Sequence, residues 1–335
     1  MRILVLGVAA CAAVQRADPP DVPDTAAAVV APDGDPAAPA TAARDVAEPD
    51  PTVGVRLGPV VRCEDPGARE RLGPLEPPRA SDPWAALPQE RDPGGLFVGS
   101  GVSVADLDGD GGMDVLAARR DGVYLLGAHG RRLRLPDSAR ATAAIPGDAD
   151  GDGDLDLAVV RYGEPFRLFR QDEGSVWVDA TAEAGLVTPA DLRAAVASWA
   201  DADGDGDLDL FVGAHGGLAG SRGEPSPGSR LFEARGDGTF EDRSDALPES
   251  VRAAHAFAAG WHDLDRDGAR DLYVVSDFGE HWPSRLLWGG DGLHLQADDG
   301  AAGLDLVIHG MGLGVGDLDG DADLDVVVPG WGGTR

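Results

Sequence analysis

Asp148-Ala-Asp-Gly-Asp-Gly-Asp-Leu-Asp156 leads straight into Leu157-Ala-Val-Val160, and this unit decides how the chain is read. With small variations it occurs five times, beginning at Asp106, Asp148, Asp201, Asp263 and Asp317. The spacings of 42, 53, 62 and 54 residues (148−106, 201−148, 263−201, 317−263) are those of a repeat architecture. Carboxylates at loop positions 1, 3, 5 and 9 form an oxygen-rich cage for a hard divalent cation, with Ca²⁺ the expected occupant. The proposed ligands are Asp106, Asp108, Asp110 and Asp114; Asp148, Asp150, Asp152 and Asp156; Asp201, Asp203, Asp205 and Asp209. The remaining two sets are Asp263, Asp265, Asp267 and Asp271, then Asp317, Asp319, Asp321 and Asp325.

Position 7 would add its backbone carbonyl, and water would complete the shell. Position 6 calls for glycine at a sharp turn. It is Gly111, Gly153, Gly206 and Gly268 in four loops but Ala322 in the fifth, which is therefore expected to be the weakest site. An EF-hand shares the 1-3-5 spacing but needs a bidentate Glu at position 12 and flanking helices. Here position 12 is Ala117, Val159, Val212, Val274 and Val328, which excludes it. A single such loop could be a solvated acidic turn; five in the same context point to metal. The role expected for the ions is structural, because four crowded carboxylates repel one another until a cation joins them.

The flanks repeat as faithfully as the loops. Small-residue runs precede them, as in Ala194-Ala-Val-Ala-Ser-Trp199 and Phe257-Ala-Ala-Gly-Trp261. Short Val- and Leu-rich runs follow, as in Leu208-Asp-Leu-Phe-Val212 and Asp271-Leu-Tyr-Val-Val275. A third run (Phe166-Arg-Leu-Phe169, Ser229-Arg-Leu-Phe232, Ser284-Arg-Leu-Leu-Trp288) and a Gly/Asp turn lead to a fourth. Such runs are too short for helices, and helical periodicity shows only over 189–197. Four antiparallel strands per repeat describe a β-propeller blade. The fold class expected is all-β, a propeller with four complete blades and half of a fifth.

This organisation resembles the FG-GAP/VCBS repeat family, whose β-propellers carry calcium loops between the first two strands of a blade. The blade endings Val178-Asp-Ala-Thr-Ala-Glu-Ala-Gly-Leu186 and Gly236-Asp-Gly-Thr-Phe-Glu-Asp242, with His309-Gly-Met-Gly-Leu-Gly-Val-Gly-Asp317, resemble the CRTAC/ASPIC-UnbV branch. Members of that branch are similar to integrin α-subunit propellers. The resemblance covers about residues 96–335 and implies about seven blades. The chain stops shortly after the second strand of the fifth, so a truncated product, a short propeller or one completed by another chain is expected.

Three segments follow: 1–16 as a signal peptide and lipobox, 17–90 as a disordered linker, and 91–335 as the propeller repeats. Sixteen of the 25 prolines lie before residue 95 and the first aromatic is Trp84, so the linker cannot bury enough apolar surface to order itself. Val8-Ala-Ala-Cys11 resembles a bacterial lipobox, with Cys11 as the lipidated residue and an exported, membrane-tethered protein as the result. Ordinary secretion and a misassigned start codon are the alternatives. Cys63 is then left without an intramolecular partner.

The net charge of −31 comes largely from the 20 loop aspartates, and it disfavours nucleic acid as a partner. Arg235-Gly-Asp237 spells a cell-attachment tripeptide but falls where a hairpin turn is needed. His129 and His215 share a Gly-Ala-His-Gly context that suggests a repeat-structural role. No Gly-x-Ser-x-Gly, phosphate loop or His-pair zinc motif is present. The function expected is a non-enzymatic, extracytoplasmic calcium-binding propeller that contacts a protein or glycan. The alternatives are an enzyme or accessory module acting on extracellular polysaccharide, and a truncated remnant without independent activity. Acids or histidines clustered on one face outside the loops would favour the enzyme.

Overall fold

The computed structural model describes residues 101–127, 132–172, 176–189, 192–318 and 321–330. The segments expected from the sequence to be an export signal with Cys11 and a linker, together with Cys63, Trp84, His129 and Trp331, lie outside the described residues.

Four antiparallel meanders follow one another. The first contains β1 (Val102–Ala105), β2 (Asp114–Arg119), β3 (Gly122–Leu126) and β4 (Arg132–Arg134). The second contains β5 (Ala141–Gly147), β6 (Asp156–Arg161), β7 (Arg167–Asp172) and β8 (Val176–Asp179). The third contains β9 (Ala194–Ala200), β10 (Asp209–Ala214), β11 (Arg230–Ala234) and β12 (Phe240–Asp242). The fourth contains β13 (Ala256–His262), β14 (Asp271–Ser276), β15 (Arg285–Trp288) and β16 (Gln296–Ala297). A two-stranded sheet, β17 (Gly314–Gly316) with β18 (Asp325–Val327), begins a fifth. The molecule is a β-propeller, and its described residues form four four-stranded blades and two strands of another.

The helical periodicity over 189–197 misleads. Ala194–Ala200 is β9, paired along its length with β10. Its alanines serve close packing between blades rather than one face of a helix.

The second strand of each blade explains why its sequence is apolar at consecutive positions. Every residue of β6, β10 and β14 is buried. On β6, Leu157 and Val159 join the core shared with the first blade, while Ala158 and Val160 join the core shared with the third. On β10, Leu210 and Val212 face the second blade and Phe211 the fourth. Both faces of a blade are covered by neighbours, so period-two alternation gives way to a continuous apolar run.

First strands carry small residues because they approach one another around the propeller axis. A Cβ on Gly101, just ahead of β1, would lie 2.5 Å from Thr142 O on β5 of the next blade, so no larger residue fits. Trp199 fills the gap beside Gly147 of the preceding blade and donates its indole N–H to Ile145 O at 3.3 Å. Trp261 is likewise buried against Ala202 and Phe211 of the blade before it. Both tryptophans pack between blades, as their matching sequence positions indicate.

The blade endings have a repeated function too. The hydroxyls of Ser138, Thr181 and Ser244 accept the N–H of Val123, Leu168 and Leu231, at 2.9, 2.9 and 3.1 Å. Each ties the segment after the fourth strand to the start of the third and satisfies a buried donor.

Candidate metal centres

Each Asp loop joins the end of a first strand to the start of a second, so all of the loops sit at one end of the blades. The loop is wound by its own carboxylates. The position 3 carboxylate accepts the N–H of position 5, at 3.1–3.4 Å in Asp108, Asp150, Asp203 and Asp265. The position 5 carboxylate accepts the N–H of position 7, at 2.7–3.0 Å in Asp110, Asp152, Asp205, Asp267 and Asp321. Position 1 closes the turn by accepting from position 6, as in Gly153 N–H to Asp148 Oδ2 at 3.1 Å.

The closing aspartate is a different kind of residue. Asp114, Asp156, Asp209 and Asp271 are each about 1% exposed. Their Oδ2 atoms accept the N–H of loop position 2 (Leu107, Ala149, Ala202, Leu264) at 2.7–3.0 Å. In three blades Oδ1 accepts a second backbone N–H from the third-strand region: Gln171 at 3.0 Å, Ala234 at 2.9 Å and Gly289 at 2.9 Å. One carboxylate therefore pins loop, second strand and third strand together. Asp325 accepts from Leu318 N in the same way, at 2.7 Å.

Three carboxylates converge in each of four loops, with one oxygen from each lying within 4.8 Å of the others. The groups are Asp106, Asp108 and Asp114; Asp148, Asp150 and Asp156; Asp201, Asp203 and Asp205; Asp263, Asp265 and Asp271. Positions 1, 3 and 9 thus gather in three loops, leaving out Asp110, Asp152 and Asp267, while the third loop gathers 1, 3 and 5 and leaves out Asp209. In the fifth loop Asp319 lies outside the described residues, and Asp317, Asp321 and Asp325 form no such group among those described.

These residues fit a divalent cation on two grounds. Asp106 Oδ1 and Asp263 Oδ1 are buried and have no hydrogen-bond partner, an expensive condition for a carboxylate oxygen. Burial also pushes the closing carboxyls up, Asp156 to about 7 and Asp209 and Asp271 to about 6, although backbone donors partly offset it. Asp150, Asp203 and Asp265 are raised as well, first by burial, with neighbouring aspartates adding to it. A bound cation would reverse that penalty.

Left-handed backbone is needed at two places in each of the first four loops, and at position 6 of the fifth. Position 6 has φ of 86°, 96°, 101° and 94° at Gly111, Gly153, Gly206 and Gly268, and 72° at Ala322. Position 4 has φ of 69°, 74° and 81° at Gly109, Gly151 and Gly204, and 65° at Arg266. The demand at position 4 is one the sequence reading missed, although the repeated Asp-Gly-Asp triplets carry the signal. Arg266 spans the gap between blades, bonding Ala322 O and pairing with Asp323 of the fifth loop. Arg170 makes a comparable link from Asp150 (3.5 Å) to Gly238 O.

Arg235-Gly236-Asp237 forms the β11–β12 turn, with Gly236 at φ 68°. Its charged ends are held within the blade, Arg235 by Glu241 at 2.7 Å and Asp237 by Thr239 N–H at 3.0 Å.

At the opposite end of the blades a second set of polar residues gathers, which motif reading did not find. Asp277 accepts from His309 Nδ1 at 2.8 Å and from His215 Nε2 at 3.4 Å. His215, Asp277 and His309 belong to the third, fourth and fifth blades. Burial alone would raise the Asp277 carboxyl, but the donors His215, His309 and Phe278 N–H outweigh it and hold the carboxyl below its ordinary value. His255 is buried in the same cluster. It accepts from Gly216 N–H at Nδ1 (3.1 Å) and donates from Nε2 to Glu224 O (2.9 Å). Desolvation lowers its pKa.

Among curated proteins none matches this chain. Several solved structures are similar at low identity, among them these three. An Agrocybe aegerita lectin that recognises non-reducing terminal N-acetylglucosamine is 17% identical over 69% of this chain and 60% of the lectin, with a TM-score of 0.39. The V. cholerae biofilm matrix protein Bap1 is 18% identical over 59% of this chain and 27% of its own, with a TM-score of 0.33. BBS1N, in complex with ARL6DN, is 14% identical over 59% of this chain and 54% of its own, with a TM-score of 0.38. The chain spans less than two thirds of each. Residues 148–212, from the second Asp loop through the third to Val212 of β10, match the family model described as FG-GAP-like repeat. The chain therefore carries an FG-GAP-like repeat, set among propeller blades built on the same strand–loop–strand plan.

Proposed function

We propose that this protein is an exported, calcium-stabilised propeller that recognises a glycan or protein ligand without catalysing a reaction. The observation that carries the calcium reading is the gathering of three carboxylates in each of four equivalent loops, with unpartnered buried oxygens on Asp106 and Asp263. The expected ligands are the loop aspartates at positions 1, 3, 5 and 9, and the ions brace the junction between first and second strands. Bound Ca²⁺ supplies charge neutralisation to loops whose carboxylates otherwise repel. Export and a lipid at Cys11 rest on the N-terminal residues alone. The CRTAC/ASPIC-UnbV assignment rests on the blade endings, and completion of the propeller by another chain is a further part of this reading.

The test is calorimetric unfolding of the full chain in millimolar Ca²⁺ and in excess EDTA. At a hundredfold excess over Kd each occupied site adds about 2.7 kcal/mol. Across several sites the transition should rise by roughly ten degrees or more. A transition indifferent to calcium would sink the metal reading.

A second reading, an enzyme acting on extracellular polysaccharide, is favoured by one observation. Asp277 orients His309 through Nδ1, the arrangement that prepares an imidazole for proton transfer. Release of reducing ends from a polysaccharide, lost in His309→Gln, would establish it.

A further inference from the structure

The polar cluster opposite the Asp loops belongs to a wider pattern. In three blades the residue following the second strand bonds the residue preceding the first. Tyr162 N–H donates to Arg140 O (3.0 Å), His215 to Arg193 O (2.8 Å) and Asp277 to His255 O (2.9 Å). In the next blade His309 precedes the Gly310–Gly330 bridge. These equivalent positions, which sit where the first strands come together, carry Arg140, Tyr162, Arg193, His215, His255, Asp277 and His309. The loop end repeats aspartate in every blade. At this end the pair of hydrogen-bonding side chains changes from blade to blade: Arg140 with Tyr162, Arg193 with His215, His255 with Asp277.

Some of these groups are used up within the protein. His255 has both ring nitrogens bonded, and His215 is engaged by Gly217 N–H at Nδ1 (3.0 Å) and by Asp277. Others are open. His309 is half-buried, and its Nδ1 is committed to Asp277, which leaves Nε2 without a partner among the described residues. Arg193 is exposed and forms no ion pair among the described residues, and the Tyr162 hydroxyl has no hydrogen-bond partner there. Arg193 Nη1 and Tyr162 OH approach one point above Gly217, 3.3 and 3.2 Å from where its Cβ would be. Half-buried aromatic rings flank them. Phe278 meets His309 edge-on at 5.7 Å and Phe257 meets His215 at 6.0 Å, while Trp282 stands 6.2 Å from His255.

We infer that this mouth, spanning the second to fifth blades, is a binding site for a neutral saccharide. His309 Nε2, Tyr162 OH and Arg193 would take its hydroxyls, and the aromatic rings its apolar faces. Open donors and acceptors beside aromatic rings suit a ligand that is rich in hydroxyls on its edges and C–H groups on its faces. A net charge of −31 disfavours polyanions such as uronate polymers. The inference rests on the glycan-binding reading above and gives it a place.

The experiment probes the calcium-loaded full chain with a printed panel of neutral gluco-, manno- and galacto-oligosaccharides, with polygalacturonate as the polyanion. Titration calorimetry then follows with the strongest binder. His309→Gln and Tyr162→Phe are expected to weaken binding about tenfold or more, without moving the calcium-dependent unfolding transition. Arg235→Gln, at the loop end, should leave affinity unchanged. If His309→Gln fails to fold, Tyr162→Phe carries the test, because it removes only a hydroxyl that bonds to no described residue. Saccharide binding that survives both variants would overturn the mouth as the site while leaving the glycan reading in place. A folded, calcium-loaded chain that binds nothing on the panel overturns both, and preference for polygalacturonate overturns the neutral class.

Discussion

The two ends of the blades are built on opposite principles. At one end every loop repeats the same carboxylates in the same turns, and each closing aspartate makes the same bond to loop position 2. At the other end the equivalent positions hold Tyr162, His215 and Asp277 after the second strands, and Arg140, Arg193, His255 and His309 before the first. Identical chemistry in every blade is what a shared structural task requires. Chemistry that differs from blade to blade, yet converges across blade joints, gives one asymmetric surface. The comparison teaches that in a repeat protein function is to be sought where the repeat breaks down.

The sharpest way to break the comparison is to separate the two duties of the loop aspartates. Asp156→Ala leaves the buried N–H groups of Ala149 and Gln171 without acceptors, at about 1–3 kcal/mol each. Unfolding should show a loss of about 2–5 kcal/mol in Ca²⁺, with much of it persisting in EDTA. Asp203→Ala, at position 3 of the third loop, should behave otherwise. It costs one site in Ca²⁺ and is close to neutral in EDTA, where it relieves carboxylate repulsion. Equal losses for both variants in EDTA would show that the loop is held by its hydrogen bonds alone, with no role for the cation.

The ends should also respond to acid with opposite signs. Folding raises the carboxyls of Asp156, Asp209 and Asp271 from 3.8 to about 7, 6 and 6, first through burial. Their ionisation therefore works against the metal-free fold: stability falls as pH rises from near 4 towards 7. Asp277 is depressed below 3.8, so its contribution is complete above that value and is lost only as pH falls through the lower folded pKa. In EDTA, chemical denaturation should give a more stable protein at about pH 5 than at about pH 8. Calcium should flatten or invert that slope, and a metal-free protein that weakens steadily from pH 8 to 5 would contradict the assignment.

Much of the loop end was legible in the sequence because its information is local. Nine consecutive residues specify each turn, and both faces of β6, β10 and β14 announce themselves as continuous apolar runs. Less legible was the closing aspartate, whose second bond reaches Gln171 or Ala234, residues 15 and 25 positions away. The other end was nearly silent. His215 meets Asp277 across 62 residues, and Asp277 meets His309 across 32. Because no two blades share a residue type in both positions, aligning the repeats hides these side chains instead of exposing them. His215 contacts Gly217 and Asp277, and its neighbour His309 carries the open nitrogen.

The smallest effect tests how far sameness at the loop end is enforced by backbone geometry. Four loops have glycine at position 6 with φ between 86° and 101°, whereas Ala322 is held at 72°. An L-residue in that region costs roughly 1 kcal/mol because its Cβ crowds the following carbonyl. Ala322→Gly should therefore stabilise the protein by about 1 kcal/mol or somewhat less, since glycine also loosens the unfolded chain. The gain should be larger in Ca²⁺ than in EDTA if the relaxed loop binds its ion more tightly. A variant no more stable than the parent in either buffer would mean that the bond from Arg266 to Ala322 O, together with the Asp323 pair, already fixes this turn. The departure from glycine would then be an accommodation to the neighbouring blade, whose Arg266 reaches across to hold the turn.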